Sequence, residues 1–245
     1  MSVISWVHGW SMNKNIWRSF TQRFPEHQHH CLNLPGHGGA DLQDADLKAW
    51  AESLLAQQPT PSIWVGWSLG GLVSLYLAHH YPEHVKGLIL IAASPRFTEA
   101  EDWPCGVKGT IFEQFSNALS TNPSITLERF VTLQMLGAKH AKSTIHTLKT
   151  ELTESPAQLT ALQDGLALLA HSDCRFEFSE TQQPMQLILG EKDTLISAKT
   201  TQPVQALKPS IHIEHIDGAG HVPFLSHPDS VCEKIRPFIT ALETA

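Results

Sequence analysis

The order of apolar runs along this chain predicts an α/β fold, with a mostly parallel sheet, helices on both faces and an all-helical cap inserted between two strands. Three observations carry that prediction. Six short β-like runs, near 3–7, 29–34, 62–66, 87–92, 185–189 and 211–216, are interleaved with helical patterns. The alternation stops between about Pro95 and Arg175, where only helical patterns remain. Finally, Gly66-Trp67-Ser68-Leu69-Gly70 sits where an apolar run turns into a helix.

Taken in order, Val3 to Val7 is the first run and opens into the loop His8-Gly9-Trp10. Asn13 to Phe24 reads as helix, and the second run leads to Leu34-Pro35-Gly36-His37-Gly38-Gly39, a loop by composition. Asp44 to Gln57 is helical, Ser62 to Gly66 is strand, and Leu69 to His80 is a helix closed by Tyr81-Pro82. The interruption holds four helical patterns: Thr110 to Leu119, Ile125 to Leu136, Ala138 to Leu152 and Ala157 to Ala170. Strands flank it on both sides, so 95–175 is expected to form a lid over the site. Residues 1–94 and 176–245 are expected to form the α/β core.

Bulk properties narrow the function. A chain of 245 residues suffices for one large core. Its 42% hydrophobic and 17% charged residues are ordinary for a soluble enzyme. No apolar run reaches the roughly 18 residues that a membrane span needs. The first run reads as core strand, not as a removable leader, and Cys31, Cys105, Cys174 and Cys232 lack paired spacing. These features point to free thiols and a cytoplasmic location. A net charge of −7 argues against nucleic acid. His27, His29 and His30 cluster, but His29 to Leu34 reads as a strand leading to a Pro-Gly loop and no acidic or cysteine ligand pattern accompanies it, so no metal is expected. No glycine-rich phosphate loop is present, so no cofactor is expected either.

The chemistry is concentrated at Ser68. Gly-x-Ser-x-Gly between strand and helix is the pattern of a nucleophile elbow, whose tight turn needs small residues two before and two after the serine. A serine so placed needs a base, an acid and an oxyanion hole, in chain order Ser, Asp/Glu, His. Of 15 histidines, His221 alone combines a glycine loop, Asp217-Gly218-Ala219-Gly220, with a position after the last strand. The acid is Asp193 or Glu191, both just past the strand ending at Gly190. The oxyanion donors are the backbone N–H groups of Leu69, next to the nucleophile, and Trp10, in the first loop. His8 reads as a loop-shaping residue. Within the middle segment, Lys139, Lys142, His146 and Lys149 recur at helical spacing on one face, with no acidic residue between Arg129 and Lys149. That face is either solvated or a docking patch for an acidic partner.

Several of these stretches together resemble a known family. They are His8-Gly9-Trp10, Gly66 to Leu72, Ala93-Ser94-Pro95, Glu101-Asp102-Trp103-Pro104, Glu128-Arg129-Phe130, Leu133-Gln134 and His221 to Pro228. The resemblance is to the pimeloyl-[acyl-carrier protein] methyl ester esterases of biotin synthesis, a group of α/β-hydrolases, and it spans nearly the whole chain. It implies the α/β-hydrolase fold and Asp193 as the acid. It also implies hydrolysis of a pimeloyl methyl ester, carried on acyl carrier protein, to the free acid and methanol. Trp10, Ser68, Leu69, His221 and the stretch Phe130, Val131, Thr132, Leu133, Gln134 would line the substrate site. Arg129 would join Lys139, Lys142, His146 and Lys149 in docking the acidic carrier. Lys142 and His146 stand where the family usually has arginine, and Ile125 is uncharged where the family has a basic residue. The family also has two strands before the His-Gly-Trp strand, so the sheet edge is expected to be shortened. A monomer is expected. A broad short-chain carboxylesterase, a carbon–carbon bond hydrolase and a non-catalytic binding protein of the same fold are the alternatives.

Overall fold

The computed structural model describes residues 1–244. In chain order its elements are β1 (Val3–Val7), α1 (Arg18–Thr21), β2 (Gln28–Leu32), α2 (Leu47–Gln57), β3 (Ser62–Trp67), α3 (Leu69–His80) and β4 (Val85–Ile91). Five helices follow: α4 (Gly109–Thr121), α5 (Pro123–Leu133), α6 (Ala141–Glu154), α7 (Leu159–His171) and α8 (Arg175–Glu180). The chain then returns through β5 (Met185–Gly190), α9 (Thr201–Leu207), β6 (His212–Ile216), α10 (Pro223–Ser226) and α11 (Pro228–Thr244).

The six strands form one sheet in the order β2-β1-β3-β4-β5-β6. Every neighbouring pair is parallel. The inner strands β1, β3, β4 and β5 are buried on both faces, which is why they read as largely apolar runs, whereas the edge strands β2 and β6 are partly exposed and carry His, Gln and Glu. The alternation of the pleat sorts them. Ile63, Val65 and Trp67 of β3 pack on one side with Ile89 and Ile91 of β4, covered by Phe20, Val231, Ile235 and Ile239 of α1 and α11. Trp64, Leu88 and Leu90 face the other side, under Trp50 and Leu54 of α2 and Leu72 and Leu75 of α3.

From β1 the chain moves to β2 on one side, and β3 then pairs with the other side of β1. Strand order therefore reverses at the β1–β3 boundary, and ligands in open α/β sheets bind beyond the carboxyl ends of strands at such a switch point. The loop after β1 carries Trp10, and the turn after β3 carries Ser68.

Local differences from the sequence reading have physical causes. The helix expected over 13–24 is a 3₁₀ turn, Lys14–Trp17, followed by the short α1. Trp17, Phe20 and Phe24 cluster with Trp6, so ring packing shapes that segment. α5 starts at Pro123 instead of Ile125, because the Asn122 side chain caps it and proline suits the first helical position. α6 starts at Ala141 instead of Ala138, since His140 adopts a left-handed φ of 57°. α8 had no counterpart in the sequence pattern, its six residues being too few to show a period.

Candidate active site

The turn between β3 and α3 holds Ser68 at φ 53° and ψ −119°, a conformation costly for a residue with a side chain. The flanking glycines make the turn possible. A Cβ on Gly66 would lie 2.6 Å from the Gly70 carbonyl oxygen, and one on Gly70 would lie 2.3 Å from that of His8. The Ser68 N–H donates to the Ile91 carbonyl oxygen at 3.0 Å, which fixes the turn on the end of β4.

Three side chains distant in sequence meet here. His221 Nε2 lies 2.9 Å from Ser68 Oγ, and His221 Nδ1 lies 2.7 Å from Asp193 Oδ2. All three residues are buried. The other carboxylate oxygen of Asp193 accepts the N–H groups of Leu195 at 2.8 Å and Ile196 at 3.0 Å, so the loop after β5 aims the acid. With Asp193 on Nδ1, that nitrogen carries the proton and Nε2 presents its lone pair to the serine hydroxyl. Glu191 turns away, taking the Gly218 N–H at 2.8 Å and pairing with Lys192. Those two bonds hold its carboxyl below the usual carboxylate range.

The base loop is held from both sides. The His221 N–H donates to the Gln134 carbonyl oxygen at 2.9 Å, and the His221 carbonyl oxygen accepts the Trp67 indole N–H at 2.8 Å.

The loop after β1 is shaped by His8. Its Nε2 accepts the Leu34 N–H at 3.1 Å while its Nδ1–H donates to the Gly9 carbonyl oxygen at 2.8 Å. Burial, and then the neighbouring His37, push His8 well below the usual histidine range, so the ring stays neutral and keeps this donor–acceptor pattern. Among the described residues the Trp10 N–H donates to no backbone carbonyl. Leu69 is the first residue of α3, so its N–H has no intrahelical partner.

Above Ser68 lies a cavity lined by Trp10, Ser68, His221 and Leu195, by Phe97 and Val107 from the segment after β4, and by three helices. α4 contributes Ile111, Phe112 and Phe115, α5 contributes Phe130 and Leu133, and α7 contributes Leu166 and Leu169. Only the serine and the histidine are polar, so the wall favours a neutral, hydrocarbon-like group at the reacting end.

Of the five residues expected on the substrate, four at the end of α5 and Gln134 just after it, two reach the wall. Phe130 and Leu133, one turn apart, face the cavity. Val131 points the other way, into the cluster with Met135 and Leu148. Thr132 is exposed, with its hydroxyl bonded to the Glu128 carbonyl oxygen. Gln134 is buried behind the base loop and serves it through its main chain. The side chain of Leu69 packs beneath α7, leaving its N–H as its contribution. The α4 and α7 wall residues Ile111, Phe112 and Phe115, and Leu166 and Leu169, show helical spacing in the sequence, but spacing alone does not say which apolar face meets a cavity.

The basic residues lie on the outer surface of α5, α6 and the turn between them. Arg129, Lys139, Lys142, His146 and Lys149 are exposed, and Lys149 pairs with Glu128 at 3.2 Å. A surface groove joins Arg129 and Lys149 to Ile125, Leu136 and Leu133, and Leu133 also belongs to the cavity wall. His29 accepts the Trp6 indole N–H at 3.0 Å and donates to the Phe24 carbonyl oxygen at 2.8 Å. No helix among the described residues is long and apolar enough to cross a membrane.

Residues 6–234 match the model of the alpha/beta hydrolase family. The chain is 37% identical over 242 residues to a pimeloyl-[acyl-carrier protein] methyl ester esterase of Stenotrophomonas maltophilia, covering 98% of this chain and 93% of that one. It is 38% identical to the protein of the same name in Xanthomonas oryzae pv. oryzae, covering 96% and 94% respectively. Among solved structures, an esterase from Exiguobacterium antarcticum superposes with a TM-score of 0.89 at 18% identity, covering 98% of this chain and 92% of that one, which speaks to fold alone.

Proposed function

The chain belongs to the alpha/beta hydrolase family, within its pimeloyl-[acyl-carrier protein] methyl ester esterases, and from that premise we propose how its residues perform the reaction. The protein hydrolyses the methyl ester of pimeloyl-[acyl-carrier protein], releasing methanol and leaving the free acid on the carrier. Ser68 Oγ attacks the ester carbonyl as His221 Nε2 takes its proton, and Asp193 stabilises the imidazolium that forms. The N–H groups of Trp10 and Leu69 hold the oxyanion. His221 then protonates the departing methanol. Water, deprotonated by the same histidine, cleaves the acyl-enzyme and restores the serine. The observation that carries this reading is the bonded chain Ser68–His221–Asp193 at the foot of an apolar cavity.

The helices between β4 and β5 act as the cap in this reading. The acyl chain lies against Phe130, Leu133 and the α7 leucines, and the carrier sits at the basic surface of Arg129, Lys139, Lys142, His146 and Lys149. Their positive charge speeds the encounter with an acidic carrier more than it tightens the final complex.

The test uses carrier-linked pimeloyl methyl ester and mass analysis of the carrier. The intact protein should convert it by the loss of one methylene in mass, and Ser68→Ala should leave it unchanged. Turnover by Ser68→Ala would end the assignment of the nucleophile. Rapid cleavage of simple esters without cleavage of the carrier ester would make the protein a general carboxylesterase.

A further inference from the structure

Two residues of α7, Leu162 and Gly165, touch the residues that carry the oxyanion donors. The Trp10 indole N–H donates to the Leu162 carbonyl oxygen at 2.8 Å. A Cβ built on Gly165 would lie 2.9 Å from Leu69 Cδ2, 3.0 Å from Trp10 Cδ1 and 3.2 Å from the Trp50 ring. Such distances are shorter than ordinary carbon–carbon contact, so a methyl group here would have to displace Leu69 and the Trp10 and Trp50 rings, or α7 itself. Glycine inside a helix is also less favourable than alanine, so local propensity does not account for its presence. The position is interior, in a helix running Leu159–His171.

The rest of Trp10 is clasped by the same insertion. Phe115 of α4 and Phe130 of α5 stand edge-on to its ring at centroid distances of 5.6 and 5.0 Å. The side chain of one donor residue is therefore fixed by α4, α5 and α7, and that of the other lies under α7.

We propose that Gly165 is a positioning residue for ester hydrolysis: by letting α7 settle on Trp10 and Leu69, it sets the two N–H groups that hold the oxyanion. The proposal rests on the assignment of Ser68 as nucleophile and of these two groups as oxyanion donors. Deleting a single donor of this kind commonly costs 10²–10³ in kcat, and hydrogen bonds weaken steeply with misalignment, so a small shift of either residue is felt in turnover. The effect falls on the transition state, where the oxygen carries charge, and little on binding of the neutral ester.

The test is Gly165→Ala, assayed with p-nitrophenyl butyrate and with butylboronic acid, which adds to an active serine as a tetrahedral adduct. The expected result is a kcat reduced about tenfold or more, KM within about threefold of the parent, and a boronate inhibition constant weakened in step with kcat. The melting temperature should not fall in proportion. If glycine served only helix packing, stability would move while kcat per folded molecule stayed put, and kcat within twofold of the parent overturns the proposal. Should Gly165→Ala not fold, Trp10→Phe decides, because it keeps a ring but removes the bond to Leu162. It should lower kcat with little change in KM, and unchanged kcat overturns the proposal. Ser68→Ala run alongside separates the two levels. An inactive Ser68→Ala with normal Gly165→Ala removes this inference alone, whereas an active Ser68→Ala removes the reading beneath it.

Discussion

α4 and α7 are both 13 residues long and both line the same cavity, yet they are attached to the molecule in different ways. α7 buries Ala161, Leu162, Gly165, Leu166, Leu168 and Leu169, while α4 buries Leu119 alone. α7 is tied down at both ends, to the loop after β2 and to the segment after β4. The Gln158 N–H donates to the Gly36 carbonyl oxygen at 2.9 Å, and Thr98 Oγ1 donates to that of Ala170 at 3.1 Å. Ile111 of α4 remains half exposed, although it lines the cavity. One helix of the insertion is thus scaffold for the catalytic groups, and the other is a roof. Few buried contacts mean low local stability, so α4 should exchange its amide hydrogens faster than α7.

The largest expected effect lies on the scaffold side. Asp193→Asn should lower kcat by about 10⁴-fold through the wrong histidine tautomer, with the fold intact by circular dichroism. A loss under about tenfold would show that the buried carboxylate does not orient the base.

Stability should divide the two helices next. Leu162→Ala, on the buried face of α7, should cost about 2–5 kcal/mol in urea unfolding. Ile111→Ala should change stability by about 0.5 kcal/mol or less. Equal costs would erase the distinction between scaffold and roof.

Acid should weaken the side that α7 rests on. His37 follows Gly36, its ring stands 5.2 Å from that of His8, and burial lowers its pKa from 6.5 to about 4. The folded value lies below the unfolded one, so the protein excludes a proton that the unfolded chain takes up. Stability is therefore full above about pH 6.5, falls as pH drops towards 4 and levels off below that. The loss from this residue is at most about 3 kcal/mol. His37→Gln should flatten the decline measured by urea unfolding at pH 7 and pH 4.5. An unchanged slope would place the acid sensitivity elsewhere.

The smallest expected effect sits on the basic surface. Lys149→Ala removes an exposed pair with Glu128 and should alter stability by less than about 1 kcal/mol. Its consequence should be kinetic: a lower kcat/KM for the carrier-linked ester, with a weaker salt dependence, and no change for p-nitrophenyl butyrate. A parallel loss on both substrates would remove the basic surface from carrier docking.

The fold was legible because a buried parallel sheet leaves a plain trace. The inner strands are largely apolar runs of the right length, and the six runs read from sequence correspond to the six strands of the sheet, with ends displaced by a few residues. The candidate site was legible where chemistry restricts the backbone. Gly66, Ser68 and Gly70 must share one tight turn, and His221 needs a glycine loop after the last strand. The cavity wall was harder to read. Phe130 and Val131 are neighbours of similar hydrophobicity, but a helix sends adjacent side chains about 100° apart, one to the cavity and one to the core. Likewise Glu191 and Asp193 both follow β5, and only the folded loop turns one towards His221 and the other towards Gly218.

By itself the sequence determined which residue types could do the chemistry, and the alternation of strand and helix that holds them. These are local properties, written in side-chain size, polarity and backbone freedom within a few residues. Tertiary structure alone decided that a carbonyl of α7 meets the Trp10 indole 152 positions away, and that a missing methyl group at Gly165 leaves room for Trp10 and Leu69. Contacts of that kind depend on how separate elements pack to fill space, and no short stretch of chain encodes them.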